Sequence, residues 1–337
     1  MRKFAHRAHR PCLRMALVLL ALAVIWGCQP KTESGPPGPP LKLSLGLAPF
    51  PYSGLVAIAA EKGFFKESGL DLAIKDYTFG FATLEALSRG EIQMAMGNEF
   101  SFAKMINDDP SLRLVASVAL VNTNEIVARK DRNIHEPADL KGKRIGFCPN
   151  TSSEYYFLAF LLVNKIPSSE VIMVNLPASG MAEAIVNGDV DALSGWDTIV
   201  YESKKRLPGN AVSWSAQNNR DWQWILAVKD STTQTPEPLK RFLRALLKAE
   251  DFVLTNNEAA KNIIARRWGF EPDFVQQVWD NTRLGVTLNQ SLITSLESFS
   301  KWSRAKEGKE GEGPNFLKYV YTDALAQVDP KAVTIFK

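Results

Sequence analysis

From Leu41 onward, short apolar runs alternate with helical stretches of similar length, and this alternation confines the chain to an α/β fold on mostly parallel sheets. The segment 41–47 alternates as a strand. A loop follows at 48–54, then a helix over 55–62 that Gly63 breaks. Strands are expected at 70–75, 92–96 and 112–119, with a helix over 83–89 closed by Gly90. A strand at 125–129 carries the chain out of this first half, and one at 222–228 carries it back. At 337 residues the chain exceeds one typical domain, so two domains are expected.

The second half opens on Lys143-Arg144-Ile145-Gly146-Phe147-Cys148-Pro149-Asn150-Thr151-Ser152-Ser153-Glu154-Tyr155-Tyr156. Pro149 stops strand pairing and Asn150 tolerates unusual backbone angles. Thr151 to Glu154 fits a capping box, with Glu154 reaching back to the Thr151 amide. A helix over 155–165 then starts at the carboxyl end of a strand. Its free amides and partial positive charge make that end a ligand position, or simply a well-capped helix start. Further strands are expected at 171–176 and 192–194, around a helix at 181–187. Beyond 229 the remainder reads as helical, with segments at 238–254, 257–268, 272–282, 291–305 and 316–328. A polar, glycine-rich loop falls at 306–313.

Charge is concentrated at the start. Residues 1–27 hold five of the 40 basic residues and no acids, so the rest carries 35 basic against 36 acidic residues, a net charge of −1. Such a balance gives no footing for nucleic acid. The basic segment precedes a 12-residue apolar run, Met15 to Trp26, too short for a comfortable span and right for a signal peptide over 1–27. Ile25-Trp26-Gly27-Cys28 resembles a bacterial lipobox, in which the cysteine becomes the first residue and carries lipid; Trp26 stands where a small residue is usual. The alternatives are an ordinary signal peptide or an uncleaved anchor. Residues 28–40 are rich in Pro and Gly and make a stiff tether, which would hold an exported domain at the periplasmic or outer face of a membrane.

Cys148 is the one cysteine beyond the tether and His135 the one histidine beyond the leader. A zinc site would have to recruit carboxylates, so no metal site and no cofactor are expected. A Ser-His-Asp hydrolase would need His135, which lies in a polar stretch away from any strand end. No nucleophile elbow or phosphate loop is present.

Three segments in order resemble one family. Ala59-Ala60-Glu61-Lys62-Gly63-Phe64-Phe65-Lys66-Glu67-Ser68-Gly69-Leu70 is similar to its signature after the first strand. Ala86-Leu87-Ser88-Arg89-Gly90-Glu91-Ile92-Gln93-Met94-Ala95 follows, with Gln93 where Asp is usual. Asp139-Leu140-Lys141-Gly142-Lys143-Arg144-Ile145-Gly146 matches its entry to the second lobe. The chain resembles the substrate-binding proteins of ABC importers in the nitrate/sulfonate/taurine (NMT1/THI5-like) group. That resemblance implies an α/β periplasmic-binding-protein type II, or Venus flytrap, fold of two lobes, 41–126 with 229–337 and 127–228, joined by two crossover strands and closing on its ligand by a hinge motion. It also implies a monomer served by an ABC permease and ATPase, and binding without catalysis. A sensor lobe for a separate membrane partner is the alternative.

If both lobes aim their strand ends at one cleft, the ligand meets Phe50, Tyr52, Phe79, Phe81, Asn98, Glu99, Thr151, Ser152, Ser153, Glu154, Trp196 and Asp197. The loops concerned hold three acids and no Lys or Arg. In a closed cleft each acid would oppose an anion by on the order of a kcal/mol or more. Rings and carboxylates together suit a neutral or cationic nitrogenous molecule, such as a pyrimidine-type thiamine precursor. Each residue also has a plain structural role open to it: Glu154 or Asp197 as helix caps, Trp196 as core, Phe79 and Phe81 as one apolar face. Arg220 could supply a cation for a small anion such as a sulfonate, taurine or nitrate.

Overall fold

The computed structural model describes residues 39–218, 220–309 and 311–336. The signal peptide, Cys28 and the tether as far as Gly38 lie outside the described residues.

Strands β1 (Leu41–Leu47), β2 (Leu70–Asp76), β3 (Met94–Asn98) and β4 (Leu112–Val121) belong to one sheet. Three later strands join it, β10 (Trp222–Lys229), β11 (Thr282–Asn289) and β12 (Val333–Thr334), in the order β12-β11-β4-β10-β3-β1-β2, with β1 parallel to both β2 and β3. Helices α1 (Gly54–Glu61), α2 (Gly80–Ser88) and α3 (Glu99–Met105) follow β1, β2 and β3 in turn. The second sheet runs β7-β6-β8-β5-β9. It comprises β5 (Glu125–Arg129), β6 (Arg144–Phe147), β7 (Ile172–Asn175), β8 (Ala192–Gly195) and β9 (Ala211–Ser215). Helices α4 (Ser152–Val163), α5 (Met181–Asn187) and α6 (Asp197–Arg206) connect them. Two α/β lobes linked by two passages of chain are therefore present, as the family resemblance implies.

The boundaries differ from expectation. Glu125 and Ile126 already pair with β8 and β9, so the first passage is at 122–124. β10 (Trp222–Lys229) pairs antiparallel with β3 and β4 in the first sheet, so the return falls before Trp222 and not after 228. Burial explains it: from Trp222 to Val228 every residue is buried, which suits a central strand with neighbours on both sides. Gln217, itself buried, ties the two passages. Its side-chain amide donates to the carbonyls of Val121 (2.9 Å) and Arg220 (2.7 Å), and its oxygen accepts from the Asn124 amide at 2.8 Å.

The carboxyl-terminal third is not wholly helical. After α7 (Glu237–Thr255), α8 (Asn257–Trp268) and α9 (Pro272–Trp279) comes β11 (Thr282–Asn289), antiparallel to β4. Leu284, Val286 and Leu288 recur every second residue, the strand period that an all-helical reading passes over. α10 (Gln290–Lys306) follows. The single helix expected at 316–328 is a 3-10 turn, Phe316–Tyr319, and a separate α11 (Asp323–Val328), before the short β12 (Val333–Thr334).

One close approach fixes the cleft side of the first lobe. Gly80 begins α2 beneath Trp224 of β10. A Cβ there would lie 2.4 Å from the indole Cη2 and 2.9 Å from the Gly97 Cα. Substitution Gly80→Ala should therefore overpack this contact and destabilise the protein by about 1–3 kcal/mol. A lowered midpoint in thermal or urea unfolding is the expected outcome; an unchanged midpoint would show that Trp224 yields freely.

Candidate functional site

The carboxyl ends of β1, β3, β6 and β8, with the loop after β2, surround a cavity of about 420 Å³. This is the crevice at which open α/β sheets place ligands. Helices start at its edge because each parallel strand must return through a crossover. Gly80 and Phe81 of α2, Thr151 and Ser152 at the start of α4, and Trp196 just before α6 all line it. Three helix N-termini thus give the cavity a partial positive charge.

Its walls are mainly rings. Phe50 and Tyr52 stack with centroids 4.9 Å apart, and Trp224 meets Tyr52 edge-on, also at 4.9 Å. Trp222 meets the other side of Tyr52 at 5.0 Å. Across the cavity Phe100 packs edge-on to Phe299 at 4.3 Å. Phe79 and Phe81, 49% and 42% exposed, complete the lining at its open side. The indole N–H groups of Trp222 and Trp224 are buried and have no acceptor among the described residues.

Eight of the residues expected from sequence line this cavity: Phe50, Tyr52, Phe79, Phe81, Asn98, Thr151, Ser152 and Trp196. The other four do not. Ser153 is buried and joins strand ends. Its hydroxyl donates to the Ser194 carbonyl at 2.6 Å and accepts from the Cys148 amide at 3.0 Å. Glu99, Glu154 and Asp197 are buried and do not line the cavity, so the acids on which the charge argument rested are not on its walls. Among basic residues it is Lys104, one turn along α3, that lines the cavity; it is exposed and makes no ion pair among the described residues. Arg220 sits beside the Tyr155 hydroxyl instead. The expectation of a cleft without Lys or Arg stopped at Ser101 and missed it by one helical turn. Trp222, Trp224 and Phe299 were missed because they come from a return strand and a late helix rather than from strand-end loops.

Each displaced acid has its own environment. Burial pushes the Glu99 carboxyl up to about 8 against a hydrogen bond donated by the Ser295 hydroxyl. Burial likewise pushes Asp197 up to about 6, opposed by the Thr198 amide and the Tyr52 hydroxyl beside it. Glu154 accepts from the Asn150 amide at 2.7 Å, not from the Thr151 amide as a capping box would require. The Asn150 turn, with φ of 61°, brings its own amide round to the carboxylate. Thr151 does cap α4, accepting from the Ser153 amide at 3.2 Å. Cys148 lines the cavity, but burial raises its thiol, and His135 is exposed and outside the lining. Cys148 is therefore not activated as a nucleophile by His135.

The raised carboxyls make stability depend on pH. Glu99 titrates near 4.5 when unfolded and near 8 when folded, so between those values the folded chain holds a proton that the unfolded chain has released. Stability should therefore fall as pH rises through that window, by up to about 1.4 kcal/mol per pH unit. Asp197 adds to the fall only below about pH 6. Glu99→Gln should flatten the upper part of the decline. Urea unfolding at about pH 5 and about pH 8 measures it, and equal declines in both proteins would count against a protonated Glu99.

Comparison with known proteins places this geometry. Residues 51–260, more than half of the chain, match the family described as NMT1/THI5 like. The taurine-binding periplasmic protein of Escherichia coli (strain K12) is 26% identical over 204 residues, 58% of this chain and 62% of that protein. The formylaminopyrimidine-binding protein of Halalkalibacterium halodurans is 23% identical over 256 residues, 73% of this chain and 76% of that protein. The crystal structure of the periplasmic aliphatic sulphonate binding protein of Escherichia coli superposes with a TM-score of 0.71 at 16% identity, covering 83% of this chain and 97% of that one. The chain belongs to the NMT1/THI5-like family and has the two-lobed fold of periplasmic solute-binding proteins.

Proposed function

We propose that this protein is an extracytoplasmic solute-binding lipoprotein, anchored through Cys28. It holds a small ring-bearing molecule in its cleft and passes that molecule, unaltered, to an ABC permease and its ATPase. The observation that carries the reading is the cavity itself: about 420 Å³, walled by aromatic side chains from both lobes and free of carboxylates. Ring faces reward a flat solute by about 0.5–1.5 kcal/mol per well-placed pair. Binding without chemistry accords with a lining that contains a thiol but no base to activate it.

The polar groups favour a solute with hydrogen-bond acceptors. Helix N-termini, Lys104, the hydroxyls of Thr151 and Ser152 and the two unpaired indole N–H groups are all donors. A cationic solute would find no opposing charge in this lining, so the nitrogenous ligand expected from sequence is retained as a neutral, pyrimidine-type ring. A second reading rests on Lys104: a ring-bearing anion such as an aromatic sulfonate, with its charge toward α3. Of the two relatives named above, the formylaminopyrimidine-binding protein accords with the neutral ring, while the taurine-binding protein, whose ligand has no ring, supports only the acidic group of the second reading.

Eight tryptophans, three of them in the lining, make intrinsic fluorescence a direct readout. Titration with a hydroxymethylpyrimidine, benzenesulfonate, taurine and nitrate should show saturable binding by at least one ring-bearing compound. Taurine and nitrate should bind at least tenfold more weakly. Tight binding of taurine or nitrate, with neither ring compound bound, would overturn the proposal. Tyr52→Ala should weaken the ring-bearing ligand about tenfold, the equivalent of about 1.4 kcal/mol.

A further inference from the structure

We infer that Lys306 is the latch that holds the two lobes together at the cleft rim before any solute arrives. Lys306 is the last residue of α10 and so belongs to the first lobe. Among the described residues, all of its side-chain hydrogen bonds go to the second. Its ammonium lies 2.7 and 2.6 Å from the two Glu154 carboxylate oxygens and 2.9 Å from the Asn150 side-chain oxygen. Three donors on three acceptors use the full bonding capacity of a lysine.

The neighbourhood makes this more than a surface ion pair. The Glu154 side chain is 7% exposed, whereas that of Lys306 is 38% exposed. Removing the lysine leaves a buried carboxylate whose remaining protein partner is the Asn150 amide. The residue after Glu154 extends the contact. Tyr155 of α4 packs against Phe100, Phe299 and Trp302, with centroids 5.7, 5.6 and 5.4 Å away, all from the first lobe. A second cross-lobe contact joins Glu271 to Tyr201 (3.1 Å) and Lys205, but its side chains are about half exposed and solvent screens it. Among the described residues Lys306 therefore makes the more buried of these two polar contacts between the lobes. Its acceptor Asn150 also lines the cavity, so the same bond sets the position of the loop that a solute would touch.

Such a bond exists only while the lobes are together, and it biases the equilibrium between open and shut forms. Hydrogen exchange on the full chain, without solute, tests this and is independent of which solute the cleft takes. In Lys306→Met the amides of 150–156 should exchange at least tenfold faster. So should those at 79–81 and 196–198, of which 79–81 and Trp196 line the cavity and none has a hydrogen bond to Lys306 or Glu154 among the described residues; Lys306→Arg should retain most of the protection. Faster exchange confined to 150–156 would reduce Lys306 to a local prop for its own partner and overturn the inference, as would unchanged exchange. Circular dichroism confirms that the variant folds. If Lys306→Met does not fold, Glu154→Gln, which keeps an acceptor for the Asn150 amide, is measured in its place with the same criteria.

Discussion

A charge that is walled in by rings must be protonated, paired or bonded, and the whole cleft is shaped by how its three acids meet that demand. Glu99 stays protonated through burial. Asp197 is held by the first amide of its own helix and by Tyr52. Glu154 is paired with Lys306. Each solution buries a side chain off the cavity wall and leaves the helix start facing the cavity with amides and hydroxyls. The electrostatic character of the site is thus the reverse of what its acidic loop composition suggests. The acids are spent on structure, and what faces the solute is partial positive charge, one lysine and aromatic surface.

Much of the fold was legible in sequence because its signals are local. Strand–turn–helix units from Leu41 to Gly195 announce themselves by apolar period and by Gly63, Gly90 and Asn150 at the turns. The crevice follows from the direction of such units, and the two-lobe arrangement from the resemblance that their segments carry. What the pattern could not supply was pairing between distant strands. Nothing within Trp222–Val228 tells a strand of the second sheet from the centre of the first; burial on both faces decides it, and burial is a property of the finished packing. β11 was within reach, since its period of two was visible, but it lay among helices and was read with them.

The site shows the same division. Residues at strand ends were found because topology alone sends them to the cleft. Whether a side chain there points at solute or at its own helix depends on hydrogen bonds made by neighbours. Glu154 illustrates this: three residues from Thr151 it has capping-box spacing, yet the turn at Asn150 offers a nearer amide and α10 brings a lysine to the free side. Lys104 is the converse. It lies outside the loops that define the crevice, but one helical turn returns its side chain to the face on which Ser101 already lines the cavity.

These placements give the carboxyl-terminal third a part in binding that its helical pattern does not reveal. α10 belongs to the first lobe by chain path, yet its residues address the second: Phe299 forms cavity wall, Phe299 and Trp302 receive Tyr155, and Lys306 bonds Glu154. A helix that contributes to cavity, contact and latch couples them. A shift of α10 that displaced Lys306 would also displace Phe299, a ring of the wall. Ser295 of the same helix bonds Glu99, which is buried one residue from the lining Asn98. The position of α10 is therefore fixed from both lobes at once, and the shape of the cavity depends on a segment that the strand-end rule would not have included.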